Sequence, residues 1–340
     1  MRALVCTAYG AIENLRIEDV PVPKPKAGEI LVRVGAAGVS FAALLGVQGK
    51  HQNKPPLPYV PGNEMAGHIV ELGIGVTNVA VGQRIATGVS QGAYAEYAVA
   101  TAANAVVIPE IMPYAEATNF PTLYPTAYGV LKWKANLQPG EVLLVHGAGG
   151  GSGLTGIEVG KAMGATVIAS AGGADKLAAA KEAGADHLID YRKEDLRAKV
   201  LELTDGRGAD VIYDPVGGSA FDISLRCIAP EGRLIPMGFA SGTVPQIPAN
   251  ILLVKNATVI GFYYGYYNGW GGKGTPSPKE AAALVKRQAM VADAQAELMR
   301  WFTEGKLKAT VAATFDLADW VKAFKLIEER TVVGKAVLVP

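Results

Sequence analysis

Val142-Leu143-Leu144-Val145-His146-Gly147-Ala148-Gly149-Gly150-Gly151-Ser152-Gly153 is the stretch whose reading decides the fold. Its apolar run, bounded by turn formers, reads as a strand buried on both faces, and the glycines lead into a small-residue helix over 152–163. Ala148-x-Gly150-x-x-Gly153 has the spacing of a dinucleotide loop. In such a loop one glycine makes a tight turn, a second lets backbone approach a pyrophosphate, and a third lets helix pack on strand. Backbone N–H groups at the helix start supply partial positive charge for that pyrophosphate. Ala148, Gly149, Gly150, Gly151, Ser152 and Gly153 are therefore expected to bind cofactor. A glycine-rich turn alone is a weak signal, and its plain structural reading is just a turn. Here the required strand precedes it and a helix follows.

Working outward, strands are expected at 165–170, 187–190, 210–213, 233–238 and 257–262, and helices at 174–183, 193–204 and 219–229. Strands that alternate with helices specify an α/β, doubly wound parallel sheet with right-handed crossovers. The tip of its second strand, Ala169-Ser170-Ala171-Gly172-Gly173, carries no acid. An NAD site places a carboxylate there for the ribose 2′-OH, so small residues such as Ser170, followed by Lys176, favour the 2′-phosphate of NADPH. The plain reading of Lys176 is a solvated helix residue, and Asp175 is expected to cap the following helix.

The flanks differ. Strands at 1–7, 30–36, 66–72 and 93–99, broken by Gly and by Pro21-Val22-Pro23-Lys24-Pro25, suggest a small β-barrel. Helices at 278–304 and 317–329 and a strand at 335–339 close the chain. The expected division is a barrel-like catalytic domain over 1–122 and 268–340, interrupted by a dinucleotide domain over 123–267.

Composition narrows the class. Half of the 340 residues are hydrophobic, 19% are charged and the net charge is +1, which suits two large cores and offers no surface for nucleic acid. No apolar run approaches the length of about 18 residues that a membrane span needs. The N-terminus turns polar too soon for a signal peptide, and Cys6 and Cys227 read as buried thiols of a reduced protein, so the expected compartment is the cytoplasm.

Several blocks, in order, carry a family resemblance: Val145-His146-Gly147-Ala148-Gly149-Gly150, Gly184-Ala185-Asp186-His187-Leu188-Ile189-Asp190-Tyr191, Gly206-Arg207-Gly208-Ala209-Asp210, Tyr213-Asp214-Pro215-Val216-Gly217-Gly218, Gly232-Arg233-Leu234-Ile235-Pro236-Met237-Gly238-Phe239 and Val333-Gly334-Lys335-Ala336-Val337-Leu338. Nearly the whole chain resembles the NADPH:quinone oxidoreductase (zeta-crystallin-like) branch of the medium-chain dehydrogenase/reductase family. The resemblance implies a GroES-like β-barrel catalytic domain beside a Rossmann domain, and a homodimer joined through sheet edges. It also implies site residues. Lys176, Tyr191 and Arg330 would hold the 2′-phosphate, and Thr126 and Gly217 would join the cofactor set. Phe239, Phe262 and Tyr264 would flank the nicotinamide, with Lys335 near its ring.

The zinc ligand positions of the family's alcohol dehydrogenases fall on Ser40, Asn63 and Thr122, none a normal zinc ligand, so no metal is expected. His51, His68, His146 and His187 show no ligand spacing. Hydride transfer without a Lewis acid suits an acceptor that is already electrophilic, a quinone or an α,β-unsaturated carbonyl. Ser40, Asn63, Tyr59 and Tyr264 are candidate donors to its oxygen. The family often has Asn and Asp where this chain has Ser40 and Ala43, and Ser152 replaces a usual valine. The aromatic run 262–270 reads as a substrate wall or as a dimer interface, and both readings stay open. Alternatives to a quinone or enone reductase are an enoyl-thioester (enoyl-CoA) reductase and an NADPH-binding protein with a structural or regulatory role.

Overall fold

The computed structural model describes residues 1–269 and 277–340. The first elements are β1 (Arg2–Cys6), β2 (Leu15–Asp19), β3 (Glu29–Val39), α1 (Phe41–Val47), β4 (Glu64–Leu72), β5 (Arg84–Gly88), β6 (Tyr97–Thr101), β7 (Val106–Val107) and α2 (Tyr114–Ala117). There follow α3 (Leu123–Tyr128), a π-helical turn (Gly129–Lys134), β8 (Val142–His146), α4 (Gly151–Ala162), β9 (Thr166–Ala171), α5 (Ala174–Glu182), β10 (His187–Asp190) and α6 (Leu196–Leu203). The chain continues through β11 (Ala209–Asp214), α7 (Ser219–Cys227), β12 (Ile228–Pro236), α8 (Ala249–Lys255), β13 (Thr258–Val259), α9 (Pro278–Thr303), β14 (Val311–Asp316), α10 (Trp320–Glu328) and β15 (Lys335–Val339).

These elements form two units, Met1–Thr122 with Ala309–Pro340, and Leu123–Lys308. In the second unit six strands lie in the order β10-β9-β8-β11-β12-β13, all parallel. Placing the first strand, β8, at the centre puts its glycine turn at the point where the winding reverses, the natural crevice of such a sheet. Leu144, Ile168, Ile189, Ile212 and Leu234 form one buried face that packs against Leu196, Val200, Phe221 and Leu225 of α6 and α7. Burying each such side chain contributes roughly 1.5–3 kcal/mol.

In the first unit a seven-stranded sheet runs β14-β15-β3-β4-β5-β7, with β6 also paired to β3, and a separate β1–β2 hairpin makes the isolated bridges Ala3–Ala95 and Cys6–Tyr59 to the segments between strands. Its core gathers Leu4, Ile30, Val32, Met65, Ile85 and Leu338 around Tyr94 and Phe324, whose rings meet edge to face at 5.9 Å.

The structure departs from these expectations at several elements. The strand expected at 93–99 lies at Tyr97–Thr101, because Ala93 and Tyr94 instead turn back to the Gly62 and Pro61 carbonyls. The sixth strand of the parallel sheet shrinks from 257–262 to Thr258–Val259. Helix α8 and strand β14 were not anticipated. Finally, residues up to Lys308, expected with the barrel from 268 onward, belong to the second unit. Helix α9 begins with a capping box between Ser277 and Glu280, with Pro278 at its first position. Its Trp301 packs 5.8 Å from Tyr128, Glu297 accepts the Tyr128 hydroxyl, and Lys308 N–H donates to buried Glu158 of α4.

Candidate functional site

The glycine turn after β8 has one left-handed residue, Gly147 at φ 59°, so the tight turn lies one place before Ala148. A Cβ on Gly153 would sit 2.2 Å from the Gly147 carbonyl oxygen, so only glycine lets α4 close on the strand. Gly150 differs. A Cβ there would meet nothing nearer than 3.6 Å, and it is the residue from which α4 starts without a side-chain cap. The turn thus leaves open backbone and uncapped N–H groups at a helix start, the donor set a pyrophosphate requires. Beneath it, Ala148 N–H donates to the Ser170 carbonyl, and Ser152 Oγ lies 3.1 Å from the buried Tyr213 hydroxyl.

At the tip of β9, Gly172 is buried and Gly173, at φ 104°, forms the start of α5. Gly173 therefore occupies the cap position expected of Asp175, which lies in the first turn with its charge toward the positive helix end. A Cβ on Gly149 would lie 2.4 Å from Lys176 Cβ, so the lysine stem crosses the glycine turn. A Cβ on Gly172 would lie 2.8 Å from the Tyr191 hydroxyl and 2.6 Å from Arg192 Nε. Arg192 was missed by sequence reading; the cationic Arg192-Lys193 pair just past the β10 tip was the available signal.

The β11 tip is held by Asp214, which is fully buried and accepts the N–H groups of Val216 and Gly217 at 2.8 and 2.9 Å. Its other oxygen is buried with no hydrogen-bond partner among the described residues. Val216 packs where a Gly147 side chain would be, 3.1 Å away, and half-exposed Phe239 lies 3.0 Å from a Cβ on Gly217. Next to Asp214, His146 is buried, and burial pulls its pKa down while the Asp214 charge opposes. Its Nε2 lies 2.7 Å from Ser224 Oγ, which donates to the Ala220 carbonyl, so a neutral His146 carries its hydrogen on Nε2. Thr126 is half-buried on α3.

Beyond β13 a groove of about 630 Å³ is lined by Phe239, Phe262, Tyr263, Tyr266, Tyr267 and Lys134, among others. Phe262 stacks on Tyr267 at 5.5 Å. Tyr263 and Tyr266 are exposed, whereas Tyr264 and Tyr267 are buried. The alternation comes from a 3-10 turn over Tyr264–Tyr266 rather than from a strand. Burial pushes the Tyr264 phenol up to about 12, against hydrogen bonds with Asn268 and Gln295. Trp270, the last aromatic of the run, lies outside the described residues.

In the first unit, Ser40 Oγ accepts the Ala43 N–H and caps α1. Tyr59 is buried against Cys6, and burial raises the pKa of its hydroxyl. Asn63 Oδ1 is buried without a partner among the described residues. Lys335, expected beside a nicotinamide, is 4% exposed and donates to Glu64 Oε1 at 2.6 Å. The pair spans three adjacent strands, β15, β3 and β4, passing over Gly38, whose Cβ would lie 2.3 Å from Lys335 Cε. Arg330, at φ 57°, ends α10 in an exposed left-handed turn. Among the described residues no group of three or more His, Cys, Asp or Glu could hold a metal ion. No helix among them is long and apolar enough to cross a membrane.

A mostly antiparallel sheet in one unit and a parallel sheet of this order in the other define a class, and comparison with known proteins agrees. Residues 26–110 match the alcohol dehydrogenase GroES-like domain model and residues 151–273 the zinc-binding dehydrogenase model. The chain is a medium-chain dehydrogenase/reductase. The quinone oxidoreductase-like protein 2 homolog of Nematostella vectensis is 38% identical over 340 residues, covering 99% of this chain and 88% of that protein. The Bos taurus quinone oxidoreductase-like protein 2 is 33% identical, covering 99% and 92%. The crystal structure of Escherichia coli quinone oxidoreductase complexed with NADPH matches at TM-score 0.87 and 28% identity, with 100% of each chain covered. The chain belongs to the zinc-free quinone oxidoreductase branch of that family.

Proposed function

We propose that this oxidoreductase uses NADPH to reduce a quinone or an α,β-unsaturated carbonyl compound without zinc. The observation that carries this reading is the open, uncapped turn at Gly150, beside a β9 tip that has cations where an NAD site has an acid. The NADPH-bound state of the Escherichia coli neighbour supports it. Ala148–Gly153 would hold the pyrophosphate through backbone N–H groups, and Lys176 and Tyr191 the 2′-phosphate. Ser170 would floor the ribose pocket. Thr126, Gly217, Phe239 and Phe262 would line the nicotinamide half, while Tyr264, held protonated by burial, supports the aromatic groove. NADPH bound there would supply hydride.

For the acceptor oxygen the donors on offer are the Ser40 hydroxyl, the Asn63 amide and the Tyr59 phenol. Of the Asn63 amide, only the Nδ2 hydrogens could donate to that oxygen; its buried Oδ1, without a partner among the described residues, can only accept. We place the protein in the cytoplasm as a homodimer. The free buried thiols of Cys6 and Cys227 support a reducing compartment, and Leu253 and Val254, 78% and 77% exposed on α8 beside the sheet edge, support pairing. The test is NADPH oxidation against quinones, enones and enoyl-CoA thioesters. Turnover with the first two and little with the third is expected. Tight NADPH binding with no turnover of any acceptor would replace the enzyme reading with a binding protein.

A further inference from the structure

We infer that Arg192, seated on Gly172, selects the 2′-phosphate in the second unit; the inference rests on the NADPH reading above. In a parallel sheet of this order the tip of the second strand is where the adenosine ribose is read. The residue there is Gly172, and it is buried. A Cβ on it would come within 2.6 Å of Arg192 Nε and 2.8 Å of the Tyr191 hydroxyl, and a Cβ on Gly173 within 3.8 Å of Arg192 Nη1. The guanidinium therefore lies across the space that the carboxylate of an NAD-selective site would need. A missing side chain and an inserted cation are two halves of one device: the first removes the partner of a 2′-OH, the second supplies the partner of a 2′-phosphate.

The turn that aims Arg192 is built by its neighbours. Asp190, buried at the end of β10, accepts the Arg192 backbone N–H at 3.1 Å, and Glu194 accepts the Asp190 N–H at 3.0 Å. The second Asp190 oxygen faces Lys193 at 3.8 Å. The nearby carboxylates are thus engaged with backbone and Lys193, and among the described residues the Arg192 guanidinium makes no ion pair. It is exposed and planar, and its fork matches two phosphate oxygens. Lys176, in the first turn of α5, runs its stem across Gly149 of the glycine turn.

The test is nucleotide binding to the full-length protein, followed by calorimetry without any acceptor, so that it does not depend on turnover. The probes are NADPH, NADH, 2′,5′-ADP and 5′-AMP. Arg192→Gln should weaken NADPH and 2′,5′-ADP roughly 10–100-fold, the scale of a lost charge-assisted contact, and change NADH and 5′-AMP less than about 2-fold. Arg192→Lys should recover part of the loss, because charge returns without the fork. Gly172→Asp should lower the NADPH to NADH preference further, since its Cβ displaces the guanidinium and its charge repels the phosphate. Equal losses for phosphorylated and unphosphorylated probes, or no loss for either, would overturn the assignment to Arg192. Failure of the unsubstituted protein to bind any of the four would instead overturn the cofactor reading beneath it.

Discussion

Replacing Lys335 by Met separates two roles for that residue. The side chains of Lys335 and Glu64 are 3% and 4% exposed and share a 2.6 Å contact, so removing the ammonium leaves a carboxylate buried and uncompensated. Breaking such a pair costs about 3–5 kcal/mol, whereas replacing both partners with neutral groups is often close to neutral. The single variant should therefore lower the unfolding temperature of the cofactor-free protein by roughly 10 °C, at about 2–4 °C per kcal/mol for a unit of this size. Adding Glu64→Gln to it should restore most of the loss, although the second change alone also destabilises. Gly38→Ala should mimic the single variant, because its Cβ would fall 2.3 Å from Lys335 Cε and 2.8 Å from Glu64 Oε1. Thermal unfolding by circular dichroism reads all of these. A Lys335→Met protein as stable as the parent, with only nucleotide binding impaired, would refute the reasoning and return the lysine to a purely cofactor-facing role.

Other outcomes follow from single contacts. Gly150→Ala should leave stability within about 0.5 kcal/mol, since its Cβ would meet only the Gly147 carbonyl oxygen at an ordinary 3.6 Å, yet weaken NADPH binding. Gly153→Ala should cost about 1–3 kcal/mol and loosen the turn as well, which denaturant titration separates. Folding holds His146 neutral, its pKa depressed below 6.5, so the unfolded chain binds the extra proton and stability falls as pH drops below 6.5. The slope is up to about 1.4 kcal/mol per pH unit, and His146→Gln should remove that component between pH 6.5 and 5.5 in denaturant titrations. Lys176→Ala should weaken NADPH by about 1–3 kcal/mol and barely affect NADH; equal losses by calorimetry would remove it from the phosphate pocket. Leu253→Glu with Val254→Glu should yield monomers by light scattering if α8 pairs two copies.

The parallel sheet was legible because strands buried on both faces must be continuously apolar. Val142–Val145 and Val211–Tyr213 announce themselves without help from distant residues. The open turn at Gly150 was legible for the same reason, since local spacing encodes it. Strand β14 was not, because at the edge of its sheet Val311–Asp316 is only half buried, and its small alanines give no strong apolar run. The Lys335–Glu64 pair joins positions 271 residues apart, and only the register of β15, β3 and β4 brings them together. Arg192 depended on the direction of a turn that Asp190 sets through one backbone hydrogen bond. Local patterns pointed to the turn proposed to hold a nucleotide; the placement of the cations proposed to discriminate among nucleotides depended on tertiary structure.

Calorimetric titration of the purified chain with NADPH and, separately, with NADH tests the central claim most directly. One NADPH per chain, bound at least about 10-fold more tightly than NADH, is the predicted result, the extra affinity being that of one or more charge-assisted contacts to the 2′-phosphate. Equal affinity for the two, or no heat of binding from either, would contradict it.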